Sequence, residues 1–256
     1  MSKRLPISLV MIARNEGKRL PQSLGSVADW VAEIVVVIND CADDTEMVAK
    51  SFGAVVSEHP FQNLRDQKSV ALGKATQPWI LSLDADEVVS PELKTAIFRF
   101  MDNANDHVNG VWFSRRLWFM QRWIRHGDNY PDRVLRLFRN GEGRLGGTEE
   151  HDCFVVDGQT IRFTVDLLHY SHESISSHVG KINFFTDFFL QRAKQNGKKV
   201  SALSIVVHAC WRFFRAYFLR LGILDGFPGF YLAYFSAFST FIKYAKLYEY
   251  RNSAKE

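Results

Sequence analysis

Cysteine is scarce in this 256-residue chain: Cys41, Cys153 and Cys210 are far apart, and no Cys-x-x-Cys pair occurs. A disulfide-stabilised miniprotein, a zinc knuckle and a dithiol redox site are therefore excluded, and we expect a reducing compartment. Glycine and proline, at 16 and 7 residues, are too few for a collagen-like or low-complexity chain.

Long apolar runs are also missing. No continuous stretch of about 18 apolar residues occurs, so we do not expect a simple transmembrane helix. The apolar run Ile7–Ala13 ends directly at Arg14. This length is typical of a buried strand and is the minimum for a signal peptide.

Charge of one sign is not concentrated enough to indicate a nucleic-acid partner. The net charge is only +4, with a pI near 8.9, and no recognition module is visible. Aromatic residues are the abundant class, at 14% of the chain with 21 phenylalanines. Such a content indicates a large core or a surface that meets lipid.

The first third of the chain alternates apolar runs with helical patterns. The apolar runs are Ile7–Ala13, Glu33–Ile38, Ala54–Val56 and Trp79–Leu83. Unbroken runs rich in β-branched residues are typical of parallel strands that are covered on both faces. With helices between them, they predict a doubly wound, mostly parallel α/β sheet of Rossmann-like type.

The later pattern changes twice. Residues of about 110–119 and 133–139 are predicted strands, and Phe154–Phe163 is a predicted hairpin that turns at Asp157-Gly158. From about residue 175 the pattern is helical, with helices near 175–195, 201–221 and 229–249. We therefore predict a catalytic domain over residues 1–172 and a helical region over 173–256.

Asp84-Ala85-Asp86-Glu87 is the strongest local feature, because it directly follows an apolar strand. Alternation along a strand would place Asp84 and Asp86 on the same side, at the carboxyl end of a parallel strand where such sheets bind ligands. Two neighbouring carboxylates need a cation, and oxygen ligands favour Mg²⁺ or Mn²⁺. The alternative is that both aspartates only cap a turn.

Further motifs occur in a fixed order. The first group is Ser8–Glu16, Glu33–Val37, Asp43–Thr45, Gln67-Lys68 and Leu81–Glu87. In order and spacing it resembles the family 2 glycosyltransferases of GT-A fold. The second group is Trp123–Gly127, Tyr130–Arg139, Leu167–Tyr170 and Phe241–Leu247. It is similar to the lipopolysaccharide-core β-1,4-glucosyltransferase group, so the resemblance covers nearly the whole chain.

The resemblance implies inverting transfer of a sugar from a nucleotide sugar, with UDP-glucose as the expected donor. By position, nucleotide-sugar contacts are expected from Ala13, Glu16, Lys68, Asp84 and Ala85. Asp86 would bind the divalent cation, Mg²⁺ or Mn²⁺. A late histidine, His169, stands where such enzymes often place a metal or diphosphate ligand; the alternative is a structural histidine at a strand end.

An inverting displacement needs one carboxylate near the acceptor hydroxyl to take its proton. Related sequences carry a His-Glu pair after a glycine-containing loop, and here His151-Asp152 follows Gly146-Gly147. Asp152 is therefore the expected base, with Glu150 as its alternative. A solvated charged loop is the other interpretation of this segment.

One position departs from the family pattern. Ile38 stands where relatives usually carry an aspartate that contacts the nucleotide. Asn39 or Asp40 is expected to substitute, because an amide can bond a uracil edge and a carboxylate can bond ribose hydroxyls. The change also leaves open an altered donor or a degenerate enzyme.

Residues 110–145 hold eight arginines and three acids, a surplus of five positive charges. Arginine pairs well with phosphate and carboxylate, so we expect an anionic glycolipid acceptor, such as a phosphorylated or Kdo-containing core. A polyprenyl-phosphate acceptor, or a non-catalytic assembly subunit, is the alternative. Ordinary surface salt bridges would also explain these arginines.

Aromatic and basic residues interleave in the helical region. Trp211, Phe214 and Phe218 lie among Arg212, Arg215 and Arg220, a pattern typical of a helix at a membrane interface. Pro228 and Gly229 would shorten the last helix to Phe230–Ile242, too short to span a bilayer. We expect a peripheral or monotopic protein at the cytoplasmic face of a bacterial inner membrane; packing of these aromatics inside the protein is the alternative.

Overall fold

A computed structural model describes residues 4–103, 107–148, 151–171, 175–197 and 200–253 of the chain. The chain divides into two compact units. The first holds the residues up to Arg115 together with Arg133–His169. The second holds Arg116–Asp132 together with the residues from Tyr170 onward.

The strands and helices follow the chain in this order. The strands are β1 (Leu5–Ala13), β2 (Val31–Ile38), β3 (Val55–Glu58), β4 (Trp79–Ser82), β5 (Glu87–Val89), β6 (Val108–Phe119), β7 (Arg122–Trp123), β8 (Asp132–Arg139), β9 (Gly143–Thr148), β10 (His151–Val156) and β11 (Gln159–His169). The helices are α1 (Leu20–Gly25), α2 (Thr45–Ser51), α3 (Leu64–Gly73), α4 (Pro91–Asp102), α5 (Ile175–Gln195), α6 (Ala202–Phe214) and α7 (Gly226–Ser253).

The main sheet has the strand order β3-β2-β1-β4-β8-β6-β11-β5, with β7 paired to β6. β3, β2, β1 and β4 are parallel neighbours, whereas β4 pairs antiparallel with β8 and β11 pairs antiparallel with β5. The predicted α/β sheet with parallel strands is thus confirmed. The sheet as a whole is mixed, because β8 runs antiparallel to β4 and β11 runs antiparallel to β5.

Both faces of this sheet are covered, since alternate residues of one strand enter different cores. Leu9 and Met11 of β1 pack with α1, α2 and α4, whereas Val10 packs with Ala71 of α3 and with Phe154 of β10. A strand buried on both sides needs an unbroken apolar run, which is why the sequence shows no polar alternation there.

The predicted Phe154–Phe163 hairpin is wrong. β10 pairs antiparallel with β9 in a separate two-stranded sheet, and β11 joins the main sheet beside β5. Glycines in β9 permit the close approach: a Cβ on Gly146 would lie 2.4 Å from Val155 Cγ2, and one on Gly143 2.3 Å from the Phe138 ring. The Asp157-Gly158 turn therefore connects two different sheets.

The second unit is built from α5, α6 and α7. Helix α7 begins at Gly226 and has 28 residues, so the predicted shortening at Pro228 is wrong. Proline is tolerated there because the first-turn amides of a helix have no intrahelical acceptor. Gly229 is required by packing, since a Cβ at this position would lie 1.9 Å from the Gly222 carbonyl oxygen.

Within the part of the chain that the structure describes, one segment is long and apolar enough to cross a membrane by length and composition alone. It is Ala202–Leu219, of which 11% is buried. Arg212 and Arg215 interrupt the apolar residues of this segment, so it contains no long continuous apolar run although its mean hydropathy is 1.2.

Helix α4 supplies a test of this fold. Ser90 caps it by accepting from the Leu93 amide at 3.1 Å, and its hydroxyl donates to the Asp166 carbonyl of β11 at 3.0 Å. We expect Ser90→Ala to lower the free energy of unfolding by about 1–2 kcal/mol in urea titrations, since both bonds are lost. Thr95→Ala, on the exposed side of the same helix, is the control and should change it by less than about 0.5 kcal/mol.

Candidate active site

A cavity of about 460 Å³ opens in the first unit, at the carboxyl ends of β1, β2 and β4. Because these three strands are parallel neighbours, the segments that follow them meet at one edge of the sheet. The cavity is lined by Ile12, Ala13, Arg14, Glu16, Asn39, Phe61, Leu64, Gln67, Lys68, Asp84, Ala85, Asp86 and His169.

The loops after β1 and β2 are bound to each other. The Ala42 amide donates to Asn15 Oδ1 at 2.7 Å, and the Glu16 amide donates to Thr45 Oγ1 at 2.8 Å. Asn15 is left-handed, with φ 55°, a conformation that asparagine adopts more readily than most residues. Gly17 completes the contact, because a Cβ there would lie 1.9 Å from Asp44 Oδ1. Both loops therefore hold the cavity wall in one conformation.

Asp84 is paired with cations from distant parts of the chain. Its carboxylate accepts a hydrogen bond from Arg136, and Lys68 and Arg115 lie 3.5 and 3.9 Å away. Burial raises the pKa of Asp84, but the three positive charges outweigh it and hold the pKa well below its usual range. The protein thus supplies compensating positive charge for Asp84, and the expected divalent cation at Asp86 and His169 stays a prediction.

Glu87 shares these arginines and is completely buried. It accepts from Arg115 at 3.0 Å and from Arg136 at 2.6 Å, and its other oxygen accepts from the Asp84 amide at 3.1 Å. Arg136 is 5% exposed, and although burial lowers its pKa, the two carboxylates raise it further. Arg136 therefore joins Asp84 and Glu87 into one charged network beneath the cavity.

Asp86 and His169 form a second pair, which faces the cavity. His169 Nε2 lies 3.5 Å from Asp86 Oδ2, because β11 pairs with β5 in a register that puts His169 opposite Glu87. Burial raises the pKa of Asp86, but His169 lowers it through a hydrogen bond and its charge, and the net shift is downward. Asp86 thus stays ionised and available as a ligand.

The pair fits a divalent cation only as a partial ligand set. Among the residues that the structure describes, no group of three or more His, Cys, Asp and Glu side chains could hold an ion. Two protein ligands suit Mg²⁺ when phosphate oxygens and water fill the other positions. Asp84 and Asp86 reach the cavity from a turn that follows β4, so strand alternation is not the reason for their shared side.

The predicted site residues are distributed as follows. Ala13, Glu16, Asn39, Lys68, Asp84, Ala85, Asp86 and His169 line the cavity. Asp40 is exposed, with φ 41°, and is not among the lining residues. Asp152 lies in β10 opposite Gly147, and its side chain and the whole of Glu150 fall outside the described residues.

Asn39 is a buried polar residue whose side-chain amide lacks a hydrogen-bond partner. The residue is 6% exposed, it lines the cavity, and its Nδ2 has no hydrogen-bond partner. Ile38 beside it is buried in the core that contains Leu9 and Met11. The isoleucine is thus a packing residue, and Asn39 is the polar residue that this strand end presents to the cavity.

The arginine-rich middle segment is largely engaged within the protein. Besides Arg115 and Arg136, Arg139 donates to the Val108 carbonyl and lies over the Trp79 ring, and Arg144 pairs with Asp157. Four of the eight arginines of residues 110–145 are thus paired within the protein, whereas Arg122, Arg125 and Arg133 are exposed, and the expected contact with an anionic acceptor stays a prediction. The network formed by Arg115, Arg136 and Glu87 was not predicted from the sequence, in which the only local signal is that Glu87 adjoins the two aspartates.

Glu87 provides a test of this network. Glu87→Gln removes the charge between two arginines, and breaking such a buried pair is expected to lower the free energy of unfolding by about 3–5 kcal/mol. Urea unfolding measures this change. Glu46→Gln, which breaks the exposed pair with Lys50, is the control and should cost about 0.5 kcal/mol or less. If both variants lost the same free energy of unfolding, the proposed contribution of the buried network to stability would be contradicted.

Comparisons with known proteins identify the family. The profile of Glycosyl transferase family 2 matches residues 8–222. An uncharacterized glycosyltransferase of Rickettsia prowazekii, RP128, is 31% identical across 94% of this chain and 86% of its own. The lipopolysaccharide core biosynthesis glycosyltransferase LpsC of Rhizobium meliloti is 27% identical across 97% of this chain and 94% of its own.

Among solved structures, S. aureus TarS, residues 1–349, crystallised in complex with UDP-GlcNAc, superposes with a TM-score of 0.50 and 14% identity. The match covers 90% of this chain and 79% of that one, and it supports the fold. With the family profile spanning most of its length, the chain belongs to glycosyltransferase family 2 and is a glycosyltransferase.

Proposed function

We propose that this glycosyltransferase moves a sugar from a UDP-sugar, UDP-glucose in the first instance, onto a lipopolysaccharide-core or related surface glycolipid. The observation that carries the proposal is the cavity that brings Asn39, Lys68 and the Asp86–His169 pair to one edge of the sheet. The LpsC relative supports the acceptor class. We place the reaction at the cytoplasmic face of a bacterial inner membrane.

Asn39 and Lys68 would bind the nucleotide part of the donor. The unpaired Asn39 amide can donate to a carbonyl of the base, and its oxygen can accept from a ring N–H, so it matches the uracil edge. Ala13 and Glu16 would face the nucleotide from the end of β1. Phe61, which also lines the cavity, offers an aromatic surface for the base.

Asp86 and His169 would hold a divalent cation, Mg²⁺ or Mn²⁺. Such an ion would supply charge neutralisation for the departing diphosphate. Lys68 adds a positive charge from the protein at the same site, and it is 14% exposed beside Asp84. Asp84 and Ala85 would orient the donor from a turn that the arginine network keeps rigid.

Inversion requires a carboxylate on the acceptor side to take the hydroxyl proton while the donor carbon is attacked from the face opposite the diphosphate. We assign this role to Asp152, with Glu150 as the alternative. β10, which carries Asp152, pairs with the glycine-rich β9. This places the backbone of the assigned base on a two-stranded sheet separate from the nucleotide-binding strands.

Two other functions remain distinguishable by experiment. A polyprenyl phosphate could replace the glycolipid as acceptor with the same donor site. A non-catalytic assembly subunit is disfavoured, because Lys68, Asp86 and His169 all line the cavity, and Ile38 has a packing role that explains its departure from the family pattern. A non-catalytic subunit would release no UDP from any UDP-sugar.

A donor screen tests the transferase proposal. Release of nucleoside diphosphate is measured with a set of nucleotide sugars, extracted core glycolipid and Mn²⁺, and we expect release with a UDP-hexose. Asp86→Asn should lower turnover at least about 100-fold and should abolish the rise in melting temperature that Mn²⁺ plus UDP gives the native protein. The control is Asp29→Asn, which changes an exposed ion pair with Lys94; it should retain both the turnover and the rise in melting temperature. Full activity of Asp86→Asn would rule out its role as a ligand.

Asn39 is tested through affinity for the nucleotide. Asn39→Ala removes the amide without disturbing the core, so we expect the KM for the UDP-sugar to rise about 10–100-fold with a small change in kcat. Initial-rate kinetics with UDP-sugar at saturating acceptor measure the split. The control is Asp40→Ala at the exposed neighbouring position. An unchanged KM for Asn39→Ala, or a larger effect of Asp40→Ala, would contradict base recognition by Asn39.

A further inference from the structure

Three arginines of the second unit surround a single carboxylate. Asp128 lies in a short 3-10 helix, Gly127–Asn129, and its side chain is 5% exposed. Arg212 Nε lies 2.9 Å from one of its oxygens, Arg215 Nη2 donates to both at 2.9 and 3.0 Å, and Arg220 Nε lies 3.4 Å away. Asp128 neutralises one of the three positive charges, so the cluster carries a surplus of two.

The surplus is electrostatically unfavourable for the protein alone. Burial lowers the pKa of Arg212, Asp128 raises it, and the neighbouring charges of Arg215 and Arg220 lower it again, with a net downward shift. The three side chains remain 33–49% exposed. A second anion from outside the protein would relieve this repulsion, and guanidinium groups bind phosphate oxygens with two parallel hydrogen bonds.

Next to this cluster lies a continuous set of exposed rings, which we call the aromatic face. Its members, each at least 40% exposed, are Trp211, Phe214, Phe218, Phe227, Phe230 and Tyr234. Ring centroids are 6.0 Å apart between Trp211 and Phe214 and 5.4 Å apart between Phe214 and Phe218. Phe213 connects Phe218 to Phe230, at 6.4 and 5.8 Å, and Phe230 contacts Phe227 and Tyr234.

The cations flank the rings along the same segment. Arg212 and Arg215 each follow a ring of the aromatic face by one position, or about 100° around a helix. An apolar stripe bordered by arginines is the arrangement of a helix that lies in a membrane interface, with rings at the acyl boundary and cations at the phosphates. A spanning orientation would bring both arginines into the hydrocarbon, which is strongly disfavoured.

We propose that the second unit docks on a bilayer that contains anionic phospholipid, with the aromatic face at the acyl boundary and the arginines around Asp128 on headgroup phosphates. This surface is separate from the donor cavity, whose lining residues all belong to the first unit. The docking is therefore independent of the identity of the sugar and of the acceptor.

The test measures co-sedimentation of the full-length protein with phosphatidylcholine vesicles that contain or lack phosphatidylglycerol. The variant under test combines Arg212→Gln with Arg220→Gln. It retains the hydrogen bonds from Arg215 to both oxygens of Asp128. Each basic residue near an anionic surface contributes a factor of about five in binding, so this pair should weaken binding to anionic vesicles about 25-fold and to neutral vesicles hardly at all. The control, Lys50→Gln with Arg99→Gln in the first unit, makes the same charge change at exposed positions and should cost less than about 2-fold.

Phe214→Ser with Phe218→Ser should weaken binding to both kinds of vesicle, because it removes the apolar contact. Circular dichroism and melting temperature check folding of every variant, and Arg220→Gln alone, at the longest contact, serves if the double variant unfolds. UDP release in detergent should stay unchanged in the arginine variants, which separates this proposal from the donor assignment. The docking proposal would be overturned by an equal loss of binding in the control variant or by a wild-type protein that does not bind vesicles. It would also be overturned by binding that resists both high salt and alkaline carbonate.

Discussion

Arg136 holds together the turn that follows β4, at the edge of the sheet that borders the cavity. Its guanidinium lies between Asp84 and Glu87, and Glu87 in turn accepts from the backbone amide of Asp84. Without these bonds, only Lys68 and Arg115 would offset the charges of Asp84 and Glu87. Because Asp84 and Glu87 share the arginines, Asp86 is left to face the cavity with His169. One buried cation thus pairs with Asp84 and Glu87, whereas Asp86 pairs with His169.

The sheet and much of the cavity could be predicted from the sequence, because the relevant signals are local. Unbroken apolar runs mark the parallel strands, and polar residues directly after them mark the edge where ligands bind. The partners of those residues could not be predicted in the same way. Arg136 is 52 residues from Asp84, and its arginine neighbours along the chain suggested an external anion instead.

The wrong predictions have specific physical causes. In the pairing of β10 with β9, Gly146 leaves room for Val155, while Gly143 leaves room for the Phe138 ring of β8, and only the packed structure makes these requirements visible. Helix α7 continues through Pro228 because proline lies in the first turn, a position that helix-capping rules allow. The pairing of β10 with β9 could be recognised only from tertiary contacts. The continuation of α7 through Pro228, in contrast, follows from the local rule that the first turn of a helix accepts proline.

The pairing of β11 with β5 has a consequence for the order in which the protein becomes functional during synthesis. The parallel strands that border the cavity are complete once residue 86 has left the ribosome, but His169 reaches Asp86 only after β11 has been made and has paired with Glu87–Val89. Contacts of such sequence separation form late and slowly. A chain that ends before β11 therefore has both aspartates but lacks His169, and the Asp86–His169 pair exists only once the last strand has joined the sheet.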